Sequence, residues 1–225
     1  MININECEKK LYAGLTAMDI TLSPEKITRL MDYLVAFDKW NKAYNLSAVR
    51  DPLEMIERHL LDSLALLPYL ESYLQECNNA SKERLRIIDV GTGGGLPGIP
   101  LAIACPEVDM VLLDSNGKKT RFLFQARLIL GADNIVIENT RVENYQPEKA
   151  FDVVVSRAFA SLHDMVTGTA HLLAEQGRFW AMKGLYPENE LRDCKKHAIV
   201  ESTHHLSIPG SEGERHLLVL APVEK

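Results

Sequence analysis

Ile87-Ile88-Asp89-Val90-Gly91-Thr92-Gly93-Gly94-Gly95-Leu96-Pro97-Gly98-Ile99-Pro100 runs from an apolar segment through a glycine cluster into the start of a helix. Leu85 to Val90 is short, rich in Ile, Leu and Val and bounded by glycines, which marks a buried parallel strand. The chain must then turn sharply. Gly91, Gly93, Gly94 and Gly95 permit positive φ and let the backbone approach a ligand without Cβ collisions. Pro97 and Pro100 suit the first turn of a helix, where a missing N–H costs little. A strand, a loop and a helix start aimed at a ligand form a cofactor loop.

The residues of the loop discriminate between cofactors. No Gly-Lys-Ser/Thr follows the glycines, so a Walker phosphate loop fails. Gly93-Gly94-Gly95-Leu96-Pro97-Gly98 formally matches the dinucleotide pattern G-x-G-x-x-G, a weak signal with Pro97 inside it. Asp89 tips the balance. In Asp89-x-Gly91-x-Gly93-x-Gly95 a carboxylate stands at the strand end beside the loop, where it repels a pyrophosphate. It attracts S-adenosylmethionine, which has no phosphate but carries an ammonium and a sulfonium. The pattern resembles the glycine motif of Rossmann-like methyltransferases; the bland alternative is a glycine-rich structural turn. A second strand, Asp109 to Asp114, ends in an acid about twenty residues beyond the glycines, the place from which a carboxylate accepts from ribose hydroxyls.

Composition bounds the rest. The 225 residues, 46% of them hydrophobic, allow one large domain or a domain with an extension. Neither an apolar run of membrane-spanning length nor a signal peptide is visible, so a cytoplasmic location is expected, and the Asn79-Ala80-Ser81 sequon has no relevance. Cys7, Cys77, Cys105 and Cys194 are scattered without a C-x-x-C pair, which argues against zinc and a disulfide framework. No metal is expected. A net charge of −6 argues against non-specific wrapping on nucleic acid but leaves room for a local basic face. The polar stretch from Glu76 to Arg86 is the candidate hinge, dividing a helical N-terminal extension (1–80) from a Rossmann-like domain (81–225).

In the extension, Ser23 caps and Pro24 opens a helix with Ile27, Leu30, Met31, Leu34 and Phe37 at helical spacing. Asp51-Pro52 repeats that signature for a helix carrying Ile56, Leu60, Leu64 and Leu67 on one stripe. His59, Asp62 and Ser63 then form a polar facet, either a ligand contact or a solvated or structural face. Beyond the second strand a helix spans Lys118 to Leu130, ended by Gly131. Further strands follow at Asn134–Glu138, Phe151–Ser156 and Gly177–Met182. Ala198–Leu206 and His216–Ala221 suit a final antiparallel pair. Strands alternating with helices give an α/β fold with a mostly parallel, doubly wound sheet. Ligands of such sheets bind beyond the carboxyl ends of the strands, so Arg141-Val142-Glu143, Ser156-Arg157-Ala158-Phe159-Ala160 and Lys183-Gly184 are the residues to inspect.

Five separated motifs now agree in order: Asn41-Lys-Ala-Tyr-Asn-Leu-Ser47, Arg58-His-Leu-Leu-Asp-Ser63, Asp89 to Pro100, Leu113-Asp-Ser-Asn-Gly-Lys-Lys119 and Ser156-Arg-Ala-Phe-Ala160. From about residue 20 onward the chain resembles the bacterial 16S rRNA guanine-N7 methyltransferase family, also called glucose-inhibited division protein B. The resemblance implies a class I S-adenosylmethionine-dependent methyltransferase fold with a helical N-terminal extension. It also implies methyl transfer to N7 of one guanine in the decoding-region loop of 16S rRNA. Cofactor contacts carry over onto Gly91, Leu96, Val142, Glu143 and Arg157, beside Asp89, Gly93, Gly95 and Asp114 from the loop and second strand.

That chemistry fits what the sequence lacks. Guanine N7 bears a lone pair and no proton, so displacement at a sulfonium methyl needs no general base and rests on positioning. Ser156-Arg157-Ala158-Phe159 stands where an exocyclic-amine methyltransferase has an Asn/Asp-Pro-Pro-aromatic loop, and no cysteine directly follows the fourth or fifth strand as a cytosine-C5 enzyme requires. Arg157 suits either the cofactor carboxylate or the guanine and phosphate. His59, Asp62, Lys118, Arg141 and Lys183 are candidate RNA contacts, and Phe159 a candidate for stacking on a splayed base. The expected partner is 16S rRNA or the small ribosomal subunit, and the expected state a monomer. A small-molecule methyltransferase and a non-catalytic ribosome-assembly factor that keeps the pocket are the alternatives.

Overall fold

The computed structural model describes residues 2–80 and 83–223. Its centre is a seven-stranded sheet of β1 (Arg86–Val90), β2 (Asp109–Leu113), β3 (Ile135–Glu138), β4 (Phe151–Ser156), β5 (Leu173–Lys183), β6 (Ala198–His205) and β7 (His216–Pro222), in the spatial order β3-β2-β1-β4-β5-β7-β6. Strands β1 to β5 are mutually parallel; β7 runs antiparallel between β5 and β6. The order reverses between β1 and β4, which opens a crevice at their carboxyl ends. β5 begins four residues before the expected Gly177, because Phe151 pairs with Leu173 across a register shift although Ala174, Glu175 and Gln176 give no apolar signal.

Nine α-helical segments lie among the described residues: α1 (Ile4–Ala17), α2 (Pro24–Tyr44), α3 (Pro52–Met55), α4 (Asp62–Leu64), α5 (Leu67–Ala80), α6 (Gly98–Ala104), α7 (Gly117–Leu130), α8 (Leu162–Thr169) and α9 (Glu188–Cys194). The side-chain period of two splits each strand between two cores. Ile87, Met110, Leu112, Val153, Val155, Trp180 and Leu217 point into a core shared with α1 to α7, while Ile88, Val111, Leu113, Val154, Phe179 and Leu218 face α8 and α9. Both faces are covered, as the doubly wound reading requires. The N-terminal helices thus complete one face of the sheet.

Helix α2 starts as its sequence dictates, with the Ser23 hydroxyl accepting from the Lys26 amide at 3.3 Å, a cap worth about 1 kcal/mol. It ends at Asn45 in the left-handed region. Helix α7 ends on Gly131 with φ 55°, and of its last two residues Leu130 is buried along with Phe122, Leu123 and Ala126 while Ile129 is exposed. The polar break at 76–86 is helical as far as Ala80; Ser81, the last residue of the sequon, and Lys82 lie outside the described residues.

The helix expected from Pro52 departs from an even α-helix. Between α3 and α4, Ile56–Leu61 form a π-helical segment. The wider turn aligns i, i+4 and i+5, so Ile56, Leu60 and Leu61 all reach the core, at 0%, 0% and 1% exposure. His59, Asp62 and Ser63 are buried too, so the polar facet is not a solvated face. Cys7, Cys105 and Cys194 are buried, and burial raises each thiol pKa, which makes them poor nucleophiles.

Candidate active site

The glycine loop leaves β1 at the crevice. The amides of Gly91 and Thr92 both donate to the Leu113 carbonyl, at 2.9 and 3.2 Å, which fastens the turn to β2. Gly91 has φ 71°, and a Cβ there would stand 2.8 Å from that of Ala158. Behind the loop, Asp89 has no exposed surface. Its Oδ2 accepts from Thr92 Oγ1 at 2.7 Å and from the Gly98 amide at 2.9 Å, while Oδ1 has no partner. Burial pushes its carboxyl up to about 6, against the pull of those two hydrogen bonds and of Arg157. Asp114 braces the loop from the other side, accepting from the Gly93 amide at 2.9 Å and the Asn116 amide at 2.8 Å.

Three compartments lie in a row along the carboxyl rim of the sheet. The first, about 280 Å³, is lined by Gly91, Asp114, Arg141, Val142, Glu143 and Phe159 among others. The middle one, about 180 Å³, lies over the loop and touches Gly91, Gly93, Leu96, Ser47, His59 and Arg157. The third, about 330 Å³, is bounded by Ser47, His59, Asp62, Arg157, Lys183 and Arg215. Gly91 and Ala158 border both the first and the middle compartment, and Ser47, His59 and Arg157 both the middle and the third.

The third compartment is organised by the buried Asp62. Its Oδ2 accepts from Arg157 Nη1 at 2.8 Å and its Oδ1 from Arg215 Nε at 3.0 Å, so one carboxylate ties two guanidinium groups. Arg157 Nη1 also reaches the Arg58 carbonyl, in the π segment, at 3.4 Å. His59 Nε2 lies 2.9 Å from Ser47 Oγ, and its Nδ1 has no partner. Burial pushes the imidazole down to about 4, assisted by the Arg157 and Arg58 charges, so it is neutral at pH 7. Asn41 positions Ser47: its Oδ1 accepts from the Ser47 amide at 2.8 Å while its Nδ2 donates to the Val49 carbonyl at 2.7 Å.

The candidates named from sequence therefore divide. Gly91, Gly93, Leu96, Asp114, Val142, Glu143 and Arg157 line the first two compartments; Asp89 and Gly95 support the loop from behind and line none. Among the RNA candidates, His59, Asp62 and Lys183 meet at the third compartment, although Lys183 is engaged by Glu190 at 2.7 Å. Arg141 and Phe159 sit instead on the first, and the exposed Lys118 lines none of the three. Sequence reasoning missed Arg215 and Ser47. The signal for Arg215 was available: on an antiparallel strand the residue preceding the strand, not the one following it, reaches this rim, and His216 pairs with Lys183.

Apolar walls with two carboxylates in the first compartment fit a base and ribose hydroxyls, and the glycine floor admits a chain running on toward Arg157. The residues present therefore fit a nucleoside cofactor with an appended charged arm. No group of His, Cys, Asp and Glu able to hold a metal occurs among the described residues.

The fold is that of the class I methyltransferases. It resembles TrmN from Thermus thermophilus (TM-score 0.54, 18% identity, covering 75% of this chain and 53% of that one) and ribosomal protein L11 methylase from Lactobacillus delbrueckii subsp. bulgaricus (TM-score 0.51, 16%, 73% and 77%). At such identities the likeness speaks for the fold alone. The GidB family model, described as rRNA small subunit methyltransferase G, matches residues 26–218. Relatives named ribosomal RNA small subunit methyltransferase G are 50% identical over 216 residues in Cellvibrio japonicus (96% of this chain, 95% of the relative) and 49% over 213 residues in Saccharophagus degradans (95% and 90%). The chain belongs to this family and is a methyltransferase, as its five motifs implied.

Proposed function

We propose that the protein transfers the methyl group of S-adenosylmethionine to N7 of a guanine in the decoding-region loop of 16S rRNA. The observation that carries this reading is the row of three compartments, a nucleoside pocket and a base-sized pocket joined over the glycine loop through Arg157 and His59. When bound, the cofactor supplies an electrophilic methyl group on a sulfonium. Asp114 and Glu143 accept from its hydroxyl and amino groups, Val142 flanks the adenine, and Gly91, Gly93 and Leu96 shape the floor, which Gly95 supports from behind. Asp89 contributes negative charge through the loop, and Arg157 holds the cofactor carboxylate.

The chain's part in the transfer is positioning. Guanine N7 has no proton to remove, and the imidazole nearest the junction is neutral, so His59 adds no positive charge beside a sulfonium. The substrate is the small ribosomal subunit or its rRNA, the working state is a monomer in the cytoplasm, and no metal takes part. Residues 1–80 serve as a helical extension to a methyltransferase domain at 81–225. No described helix is long and apolar enough to cross a membrane.

Labelled S-adenosylmethionine and small subunits from a strain lacking this gene test the reading. Borohydride and aniline scission at one decoding-region guanine is the expected result. Label without scission overturns the N7 assignment, and no label in any RNA overturns the rRNA substrate.

A further inference from the structure

We propose that Arg215 recognises the target base, its free Nη2 donating to guanine O6 while Asp62 holds Nε away from N7. The inference rests on the function proposed above and names the residue that makes it guanine-specific.

The argument begins with the donors of Arg215. Nε donates to Asp62 Oδ1 at 3.0 Å, and one of the two N–H groups of Nη1 donates to the carbonyl of its own neighbour Glu214 at 2.8 Å. Among the described residues nothing accepts from Nη2. A guanidinium with its whole fork free reads guanine by gripping O6 and N7 together. Such a grip would cover the lone pair that must take the methyl group. With Nε, which would pair with Nη2 in a side-on grip, committed to Asp62, Nη2 donates to O6 alone and leaves N7 bare.

The same donor rejects adenine, whose 6-amino group is itself a donor. Arg215 is confined to the third compartment, whereas Arg157 borders the middle one as well. The two arginines thus divide between base and cofactor, and the Asp62 carboxylate fixes their spacing. Asp62 is a positioning residue: only 5% of its side chain is exposed, and it acts through the two guanidinium groups.

Small subunits reconstituted with guanosine, inosine or 2,6-diaminopurine riboside at the target position test this. Inosine keeps O6, and diaminopurine replaces it with an amino group while keeping N7. The wild-type protein should methylate guanosine and inosine subunits comparably and diaminopurine subunits about 10- to 100-fold less well in kcat/KM. In Arg215→Ala that preference should collapse with S-adenosylmethionine affinity by calorimetry unchanged, while Tm falls because the buried Asp62 Oδ1 loses its partner. Arg215→Lys, whose one nitrogen is drawn to Asp62 and which has no second terminal nitrogen to reach O6, should give the same collapse. Asp62→Asn should lose the preference and also weaken cofactor binding, because Arg157 is released with Arg215.

A preference that survives in both Arg215 variants overturns the proposal, as does a cofactor affinity that falls in step with kcat/KM. Absence of N7 scission on guanosine subunits with wild-type protein instead overturns the function on which the proposal rests.

Discussion

The Tyr33 hydroxyl, midway along α2, donates to the Gly94 carbonyl at 2.6 Å across 61 residues of chain, and both groups are buried. The N-terminal helices therefore hold the glycine loop from behind. Phe37, one turn further along α2, closes the same contact: a Cβ on residue 94 would lie 2.3 Å from its Cε2. The Phe37 ring also meets the His59 ring edge-on, with centroids 5.3 Å apart.

Tyr33→Phe removes the hydroxyl and leaves a buried carbonyl unpaired, at a cost of about 1–3 kcal/mol. Urea unfolding should show that loss, and calorimetry should show weaker S-adenosylmethionine binding. Unchanged cofactor affinity would mean that α2 supports the fold without tuning the loop.

Gly91→Ala brings a Cβ into the Ala158 methyl group and places an L-residue at φ 71°, at a cost on the order of 1 kcal/mol or more. The added methyl fills the border between the first and middle compartments. Cofactor binding should disappear while circular dichroism reports an intact fold. Binding at wild-type affinity would show that the cofactor does not cross this border.

Asp89 carries a pH signature. Its folded carboxyl sits at about 6 against 3.8 for the unfolded chain. A raised pKa gives stability that is fully present below pH 3.8 and lost as pH rises through 6, by up to about 3 kcal/mol. Unfolding of wild type and Asp89→Asn, compared from pH 4 to 7, should show the variant gaining on wild type as pH rises. A constant difference between them would refute the buried-carboxylate account.

His59 has the opposite sign. Its folded imidazole sits at about 4 against 6.5 unfolded. The stability it contributes is therefore present above pH 6.5 and lost as pH falls through 4, again by up to about 3 kcal/mol. The two contributions oppose each other across the same interval. His59→Gln should expose the Asp89 slope, making the protein more stable on acidification over that range. A His59→Gln protein with the wild-type pH profile would remove His59 from this balance.

The sheet and the cofactor loop were readable because their signals are local. Ile87 and Ile88 belong to a buried run, Asp89 and the glycines follow at fixed spacing, and Ser23-Pro24 starts a helix by cap chemistry alone. Arg215 was not readable by the same rule, since β7 runs the other way and presents its beginning, not its end, to the crevice. The π segment left no trace in the pattern: Ile56, Leu60 and Leu64 satisfy an α-helical stripe, and the change of pitch shows only in the burial of Leu61. Lys183 was placed on the correct rim, but nothing local foretells that Glu190, on α9, will neutralise it.

Leu11 near the amino end and Leu217 near the carboxyl end lie in one continuous core. During synthesis, α1 to α5 leave the ribosome before α6, α7 and β1 to β4, which close most of the same core, and the part of that core built by Trp180 and Leu217 is completed only when β5 and β7 exist. The polar boundary near residue 80 is therefore a seam in the sequence but not in time. A nascent chain stalled before β7 would leave the β5 edge unpaired and Leu217 missing from that core, an open face for chaperones.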